Sequence, residues 1–298
     1  NAWWSSNGSR LSPRSVTAKN ITRKFLLRNQ IMNYSIAIPS YHRSTTIQEK
    51  TLKVLESYDI DPKRIKIFIN DNEPEYDIYT EALASNAYAK DIEVVRGVPT
   101  IGHQRNFIEK WYPEGTNLMM FDDDIEEVQV KISEQKLGRV QDLEKEIIQR
   151  GFDECAASGA KTFGIYAASN AFFMKDRVYD KLCYIIASMF GVVVEHDDDL
   201  ARVTNHGEDY EYSIRQYVKN GLLCRLDNYT VKSRYYKEEG GLQDVRTEKY
   251  VRESVEIIAN LFPDLCTMYT RKSTGHAELR LRDRRTAIHD GATLSDFF

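Results

Sequence analysis

From Met32 onward the chain alternates short apolar runs with amphipathic stretches, and each early apolar run ends in polar residues. "YSIAIPS" (Tyr34–Ser40) reads as a strand stopped by Pro39, which has no N–H to continue a ladder. "STTIQEKTLKVLESYDI" follows as a helix: Ser44 or Thr45 can cap it, and Ile47, Leu52, Leu55 and Tyr58 share a face. "RIKIFIN" (Arg64–Asn70) is a second strand and runs into a polar "DNEPE" loop. A helix over Ile78–Ala89, a strand over Ile92–Val95, a helix over Gly102–Trp111 and a strand over Asn117–Phe121 continue the pattern. Such alternation predicts an α/β fold, a mostly parallel twisted sheet flanked by helices. Open sheets of this kind bind ligands beyond the carboxyl ends of their strands. Four polar stretches, Ser40–Arg43, Asp71–Asn72, Arg96–Gly97 and Asp122–Asp124, should therefore line one edge.

The second half is less regular. It is expected to hold a helix over Val140–Ser158, strands near Thr162–Tyr166, Ala171–Met174 and Cys183–Val194, and an amphipathic helix over Gly207–Gly221. "LLCRL" reads as a strand and Thr247–Leu261 as the last long helix. Residues 1–31, rich in Ser, Asn and Arg with no acid, are read as an appendage to the fold, disordered or non-native. Residues 32–298 are read as one domain, with halves at 32–130 and 131–262 and a basic tail over 263–298. No apolar run approaches the length of a membrane span. The formal net charge of −4 gives no global attraction to nucleic acid or membrane. Cys155, Cys183, Cys224 and Cys266 are widely spaced with no C-x-x-C pair, which favours reduced thiols in a cytoplasmic protein.

The stretch "MMFDDDI" carries the chemistry. A buried strand ends in three adjacent carboxylates, Asp122, Asp123 and Asp124, whose mutual repulsion needs a nearby cation. Hard oxygens on Asp122 and Asp124 suit Mg²⁺ or Mn²⁺, especially with phosphates sharing the coordination sphere. The competing reading is a solvated acidic turn. Glu208 and Asp209 open the Gly207–Gly221 helix, where acids also stabilise the helix dipole without any catalytic role, by ~0.3–1 kcal/mol.

At these residues the chain resembles GT-A-fold glycosyltransferases. "FDDDI" looks like their D-x-D signature, which holds a divalent cation on a sugar-nucleotide diphosphate. "IAIPSYHR" resembles their opening strand and nucleotide loop, implying donor contacts at Pro39, Ser40, Tyr41 and Arg43. "IFINDNEP" resembles the second strand, with Asp71 accepting from the donor base, and "RGVPTIGHQRNFI" the donor-lining segment with Arg96, Gly97, Gly102, Arg105 and Asn106. The resemblance implies Asp122 and Asp123 for the donor, Asp124 and Asp122 for Mn²⁺ or Mg²⁺, and His276 as a further metal ligand. "HGEDYEYSIRQYVKNG" resembles the helix that supplies the base of inverting members, implying Asp209 ahead of Glu208. The donor implied is a UDP-sugar, and the less regular C-terminal half would face the acceptor.

Taken together, "IPSYHR", "GHQRNFI", "FDDDI" and "HGEDYE" look most like the TET/JBP-associated glycosyltransferases, which implies hydroxymethylpyrimidine in DNA as acceptor. Arg271, Lys272, Arg280, Arg282, Arg284 and Arg285 form a basic run, and Lys232, Arg234, Tyr235, Tyr236 and Lys237 mix cations with aromatics. The alternation in "ELRLRDRR" equally fits an exposed helix. A glycan or protein acceptor and a non-catalytic binding module are the alternatives. Oligomeric state is left open.

Overall fold

The computed structural model of the chain describes residues 32–71, 73–233, 247–272 and 275–285. The appendage at 1–31, Asn72 and the cluster from Arg234 to Lys237 lie outside the described residues. Every element named here belongs to the unit Tyr34–Phe298.

Strands β1 (Ser35–Pro39), β2 (Ile65–Ile69), β3 (Glu93–Arg96) and β4 (Asn117–Phe121) lie side by side in the order β3-β2-β1-β4. All are parallel. The connecting helices are α1 (44–56), α2 (Glu73–Ala84) and α3 (Ile101–Trp111). Strands β1, β2 and β4 are short and nearly all apolar because both faces are covered, whereas β3, at the sheet edge, is "EVVR" with only Val95 buried. Ala37, Phe68, Leu118 and Met120 pack with Ile108 and Tyr112 in one buried cluster. Each large side chain of this kind contributes roughly 1.5–3 kcal/mol on burial.

Beyond β4 the sheet continues through β9 (Met189–Val193), β7 (Thr162–Ile165), β10 (Cys224–Leu226) and β8 (Val178–Tyr179). Here β9 runs antiparallel to both β4 and β7. A second sheet, β11-β5-β6, is built from β5 (Ile125–Lys131), β6 (Leu137–Arg139) and β11 (Tyr229–Ser233). The remaining helices are α4 (144–158), α5 (Glu208–Asn220) and α6 (Glu248–Leu261), and a hairpin of β12 (Cys266–Thr270) and β13 (Ala277–Leu281) follows. Gly207, at φ +69°, turns the chain into α5 in the left-handed region, where only glycine sits without strain.

Three expectations are corrected. "AELRL" is strand β13, with Ala277 and Leu279 buried and Arg280 exposed; the alternating charges mark a period of two, not an exposed helix. Ala171–Met174 is a turn rather than a strand, because Asn170 accepts from the backbone N–H groups of Phe172 and Phe173. Of Cys183–Val194, only Met189–Val193 is strand. The four cysteines are free and buried. Among the described residues no helix is long and apolar enough to cross a membrane.

Candidate active site

Burial alternates through Phe121–Ile125: Phe121, Asp123 and Ile125 point inward, while Asp122 and Asp124 are partly exposed. This alternation through the turn between β4 and β5 sorts the three carboxylates. Asp123 is only 5 % exposed and is held by Ser40 Oγ at 2.6 Å and Arg43 Nη1 at 3.0 Å. Burial pushes its pKa up to about 6, against the opposing pull of Arg43 and Ser40. It ties the β1 loop to the β4 end. Asp124 accepts from Ser233 Oγ at 2.9 Å and lies 3.7 Å from Arg43 Nη1. Burial and the charge of Asp122 raise its pKa. Asp122 accepts from Arg105 Nη2 at 2.7 Å.

The backbone of this turn is fixed from α1. A widened π-type turn at Gln48–Leu52 carries Thr51, whose hydroxyl donates to Asp122 C=O at 2.7 Å and accepts from Ile125 N–H at 3.0 Å. Such turns are often found at functional sites.

Behind Asp122 runs a buried ladder of alternating charge. Arg105 Nε lies 3.0 Å from Glu208 Oε1, and Glu208 Oε2 accepts from Arg202 Nε at 3.0 Å. Arg202 Nη2 donates to Glu109 Oε1 at 2.9 Å, and Tyr212 donates to Glu109 Oε2 at 3.1 Å. Arg105 is 1 % exposed and Arg202 2 %, so these pairs are hardly screened by solvent. In order the charges run minus, plus, minus, plus, minus. The ladder ends one carboxylate in surplus, and its only partly exposed carboxylate is Asp122, at the rim. Replacing Arg202 with methionine should lower unfolding stability by ~3–5 kcal/mol, because Glu109 and Glu208 lose a buried partner. Urea denaturation measures this.

Asn106 and Gly102 serve the same ladder. Asn106 donates to Arg202 C=O at 2.9 Å and accepts from Arg202 N–H at 3.0 Å. A Cβ on Gly102 would lie 2.3 Å from Thr204 C=O, so the glycine lets α3 approach that backbone. These residues press against a neighbouring loop, whereas the resemblance implied donor contacts.

Glu208 and Asp209 differ sharply. Both oxygens of Glu208 face guanidinium groups; burial raises its pKa, with Arg105 and Arg202 pulling the other way. Asp209 is partly exposed; its Oδ2 accepts from the Tyr184 hydroxyl and its Oδ1 from Tyr210 N–H at 3.0 Å. Burial raises its pKa, with the Tyr184 hydroxyl and Arg105 pulling the other way.

The other sequence candidates fall into place around this centre. Pro39 ends β1. Tyr41 is exposed, its ring 3.9 Å from that of His42. Arg96 Nη1 lies 3.4 Å from Asp71 Oδ1, with its guanidinium over the Tyr76 ring, and Gly97 N–H bonds Ile69 C=O. His276 is an exposed residue just before β13, and its C=O accepts from Arg271 N–H. Among the described residues no three His, Cys, Asp or Glu side chains converge on one metal position, so His276 does not complete a cage with Asp122 and Asp124.

Glu75 was not legible as a site residue. It is 2 % exposed, and its Oε1 accepts from His42 N–H while Oε2 has no partner among the described residues. A buried oxygen left without a donor costs ~1–3 kcal/mol, which a ligand N–H or O–H would relieve. The only sequence signal was its place in the polar "DNEPE" stretch.

Asp122 and Asp124 fit a hard divalent cation. They offer carboxylate oxygens on one side of the turn, and Oδ2 of each accepts no hydrogen bond from a described residue. Two protein carboxylates suit Mg²⁺, which completes its sphere with phosphates and water.

No protein-family model matches the chain, and no curated protein sequence matches it. Solved structures do. S. aureus TarS in complex with UDP-GlcNAc superposes with a TM-score of 0.52 at 14 % identity, covering 77 % of this chain and 66 % of that one. GalNAc-T7 with UDP, GalNAc and Mn²⁺ gives a TM-score of 0.53 at 12 % identity, covering 79 % of this chain and 50 % of that one. The chain thus spans less than two thirds of the length of either. It has the GT-A glycosyltransferase fold, a central α/β sheet flanked by helices, with the acidic rim at the carboxyl end of its four-stranded parallel side.

Proposed function

We propose that the protein is a metal-dependent glycosyltransferase that moves a sugar from a nucleoside diphosphate, read as UDP, to an acceptor hydroxyl. The observation that carries this reading is the rim itself: two outward carboxylates at the end of β4, joined through Arg105 and Glu208 to the helix that bears Asp209. Asp124 and Asp122 would hold Mn²⁺ or Mg²⁺, which when bound neutralises the diphosphate and stabilises the departing group. The loop from Ser40 to Arg43, with Asp71 and the orphan oxygen of Glu75, offers acceptors and donors to the nucleoside. A carboxylate acceptor matches the ring N–H of uracil. Asp209 accepts the proton of the attacking hydroxyl, and in-line attack then inverts the anomeric centre.

The acceptor we propose is a 5-hydroxymethylpyrimidine in DNA. Three things support it: the four motifs quoted above, the stacked rings of Tyr184 and Tyr210 beside Asp209, and exposed cations on the β12–β13 hairpin. Planar bases stack on such rings with roughly 1–3 kcal/mol each. Of the basic run, Arg271 pairs with Glu278, Arg284 bonds the carbonyls of Pro263 and Cys266, and Arg285 pairs with Asp283. Lys272, Arg280 and Arg282 are also exposed, and they are the cations left for phosphate. An acceptor base within a duplex would have to leave the stack to reach Asp209.

Incubation with radiolabelled UDP-sugar, Mn²⁺ and either hydroxymethylated or plain DNA tests the reading. Label is expected on the hydroxymethylated DNA alone. Label on a glycan or protein instead would move the acceptor class. Absence of both transfer and donor hydrolysis, with UDP still bound, would favour a binding module.

A further inference from the structure

We infer that Tyr184 is a positioning residue for the base, orienting the Asp209 carboxylate toward the acceptor; the inference rests on Asp209 being that base. Tyr184 lies in the irregular segment before β9, where the sequence pattern predicts continuous strand. The segment is held in place by α5 and β10 instead. Ile185 N–H donates to Ser213 Oγ at 3.0 Å, and Ser213 Oγ in turn donates to Asp209 C=O at 2.7 Å, one turn back along the helix. From the other side Arg225 Nη1 donates to Tyr184 C=O at 3.2 Å.

The ring is fixed as firmly as the backbone. It stacks on Tyr210 with centroids 4.1 Å apart and planes inclined by 16°. With backbone and ring both pinned, the hydroxyl has one place to be, on Asp209 Oδ2. Tyr210 N–H holds Oδ1 at 3.0 Å, so each oxygen of the carboxylate carries one donor from a fixed frame. A carboxylate oxygen can accept two hydrogen bonds, so each retains capacity for the acceptor's proton. Without the Tyr184 hydroxyl, Asp209 keeps only the Tyr210 N–H on Oδ1, and the carboxylate can pivot about that single bond out of alignment with the acceptor.

The groups that act electrostatically on Asp209 are Arg105 from α3, Asp122 from the end of β4, its neighbour Glu208 on α5 and Tyr184 itself. Arg105 and the Tyr184 hydroxyl favour the charged form, whereas burial and Asp122 oppose it. Removing the hydroxyl withdraws a bond that stabilises only the ionised base. The Asp209 pKa then rises, and because the base must be ionised, activity is lost at a higher pH as the solution is acidified.

The test is Tyr184→Phe, which keeps the ring and its stacking. Transfer rates, or donor hydrolysis where water is the acceptor, are measured with Mn²⁺ and UDP-sugar across pH. The expected result is a fall in kcat of about tenfold with donor KM unchanged, as loss of a charge-assisted bond implies. The acid limb of the rate profile should move up by about one pH unit. A purely structural tyrosine would change the melting temperature and leave the profile where it was, and that outcome overturns the inference. Asp209→Asn is run in parallel. If that variant is inactive while Tyr184→Phe has the wild-type profile, only the role of Tyr184 fails; if it keeps full activity, Asp209 is not the base and both fail.

Discussion

Asp124→Ala is expected to cut metal-dependent transfer by on the order of 10²–10³-fold, a loss typical of removing one group that stabilises developing charge. The side chain lies on the outward side of the turn, bonded through Oδ1 to Ser233, with Oδ2 beyond hydrogen-bond reach of Arg43. It is not the residue that holds the turn together. That task falls to Asp123, buried against Ser40 and Arg43, and to Thr51 on the backbone. Asp124→Ala should therefore fold and unfold much as the parent does. Removing it also lifts a like charge from beside Asp122, which favours the apo protein slightly. Activity collapses while stability holds, and comparison of transfer rate with thermal unfolding separates the two. Chelation of the parent protein should have the same kinetic effect, reversed by added Mn²⁺. Asp123→Ala gives the contrasting result: a loss of stability, because Arg43 keeps a buried guanidinium without its shortest carboxylate contact.

The second large effect is expected at Asp209. Asparagine there keeps the shape, with its Oδ1 on Tyr210 N–H and the Tyr184 hydroxyl turned to accept from Nδ2, but cannot take a proton, so transfer should fall by about 10²–10⁴-fold with donor affinity unchanged. Isothermal titration with UDP and Mn²⁺ measures the second quantity independently of the first. Glu208→Gln, one residue away, should behave differently. Its two oxygens lie against Arg105 and Arg202, and a neutral amide leaves those buried cations short of a charge. Its signature is a loss of stability together with weaker donor binding, since Arg105 is the group that holds Asp122. Adjacent acids at one helix start are thus expected to separate: Glu208 in the ladder, Asp209 in the proposed reaction.

The four parallel strands were legible in the sequence for a physical reason. Strands covered on both faces read as continuous apolar runs, and "SIAIP", "IKIFI" and "NLMMF" stand out between polar stretches. Their parallel sense followed from the alternation with helices, and with it the expectation that Ser40, Arg43 and the three aspartates line one edge. Half-exposed strands hid. In β5, "IEEVQVK", only Ile125 and Val128 are buried, and the charges on the outward side masked the pattern. In β13 the same masking made a strand look helical.

The ladder was less legible still. Its partners are far apart in the chain, Arg202 and Glu109 by 93 residues, and nothing local marks Arg202 as a buried cation. Asn106 and Gly102 stand out only through the family resemblance, and the loop they contact lies beyond a local reading. Glu75 lay in a stretch read as loop, whereas helix α2 begins at Glu73 and carries it inward. The question posed by three adjacent carboxylates has a divided answer. Arg43 and Arg105 supply part of the neutralising charge, and the remainder is left at the rim, where Asp122 and Asp124 face out.

Binding of Mn²⁺ in the presence of UDP tests that last point most directly, with free Mn²⁺ followed by its paramagnetic resonance signal. One ion per chain should be taken up in a UDP-dependent manner, and this uptake should be lost in Asp124→Ala. Uptake that survives this substitution, or the failure of the folded parent to take up Mn²⁺ with UDP, would contradict that point.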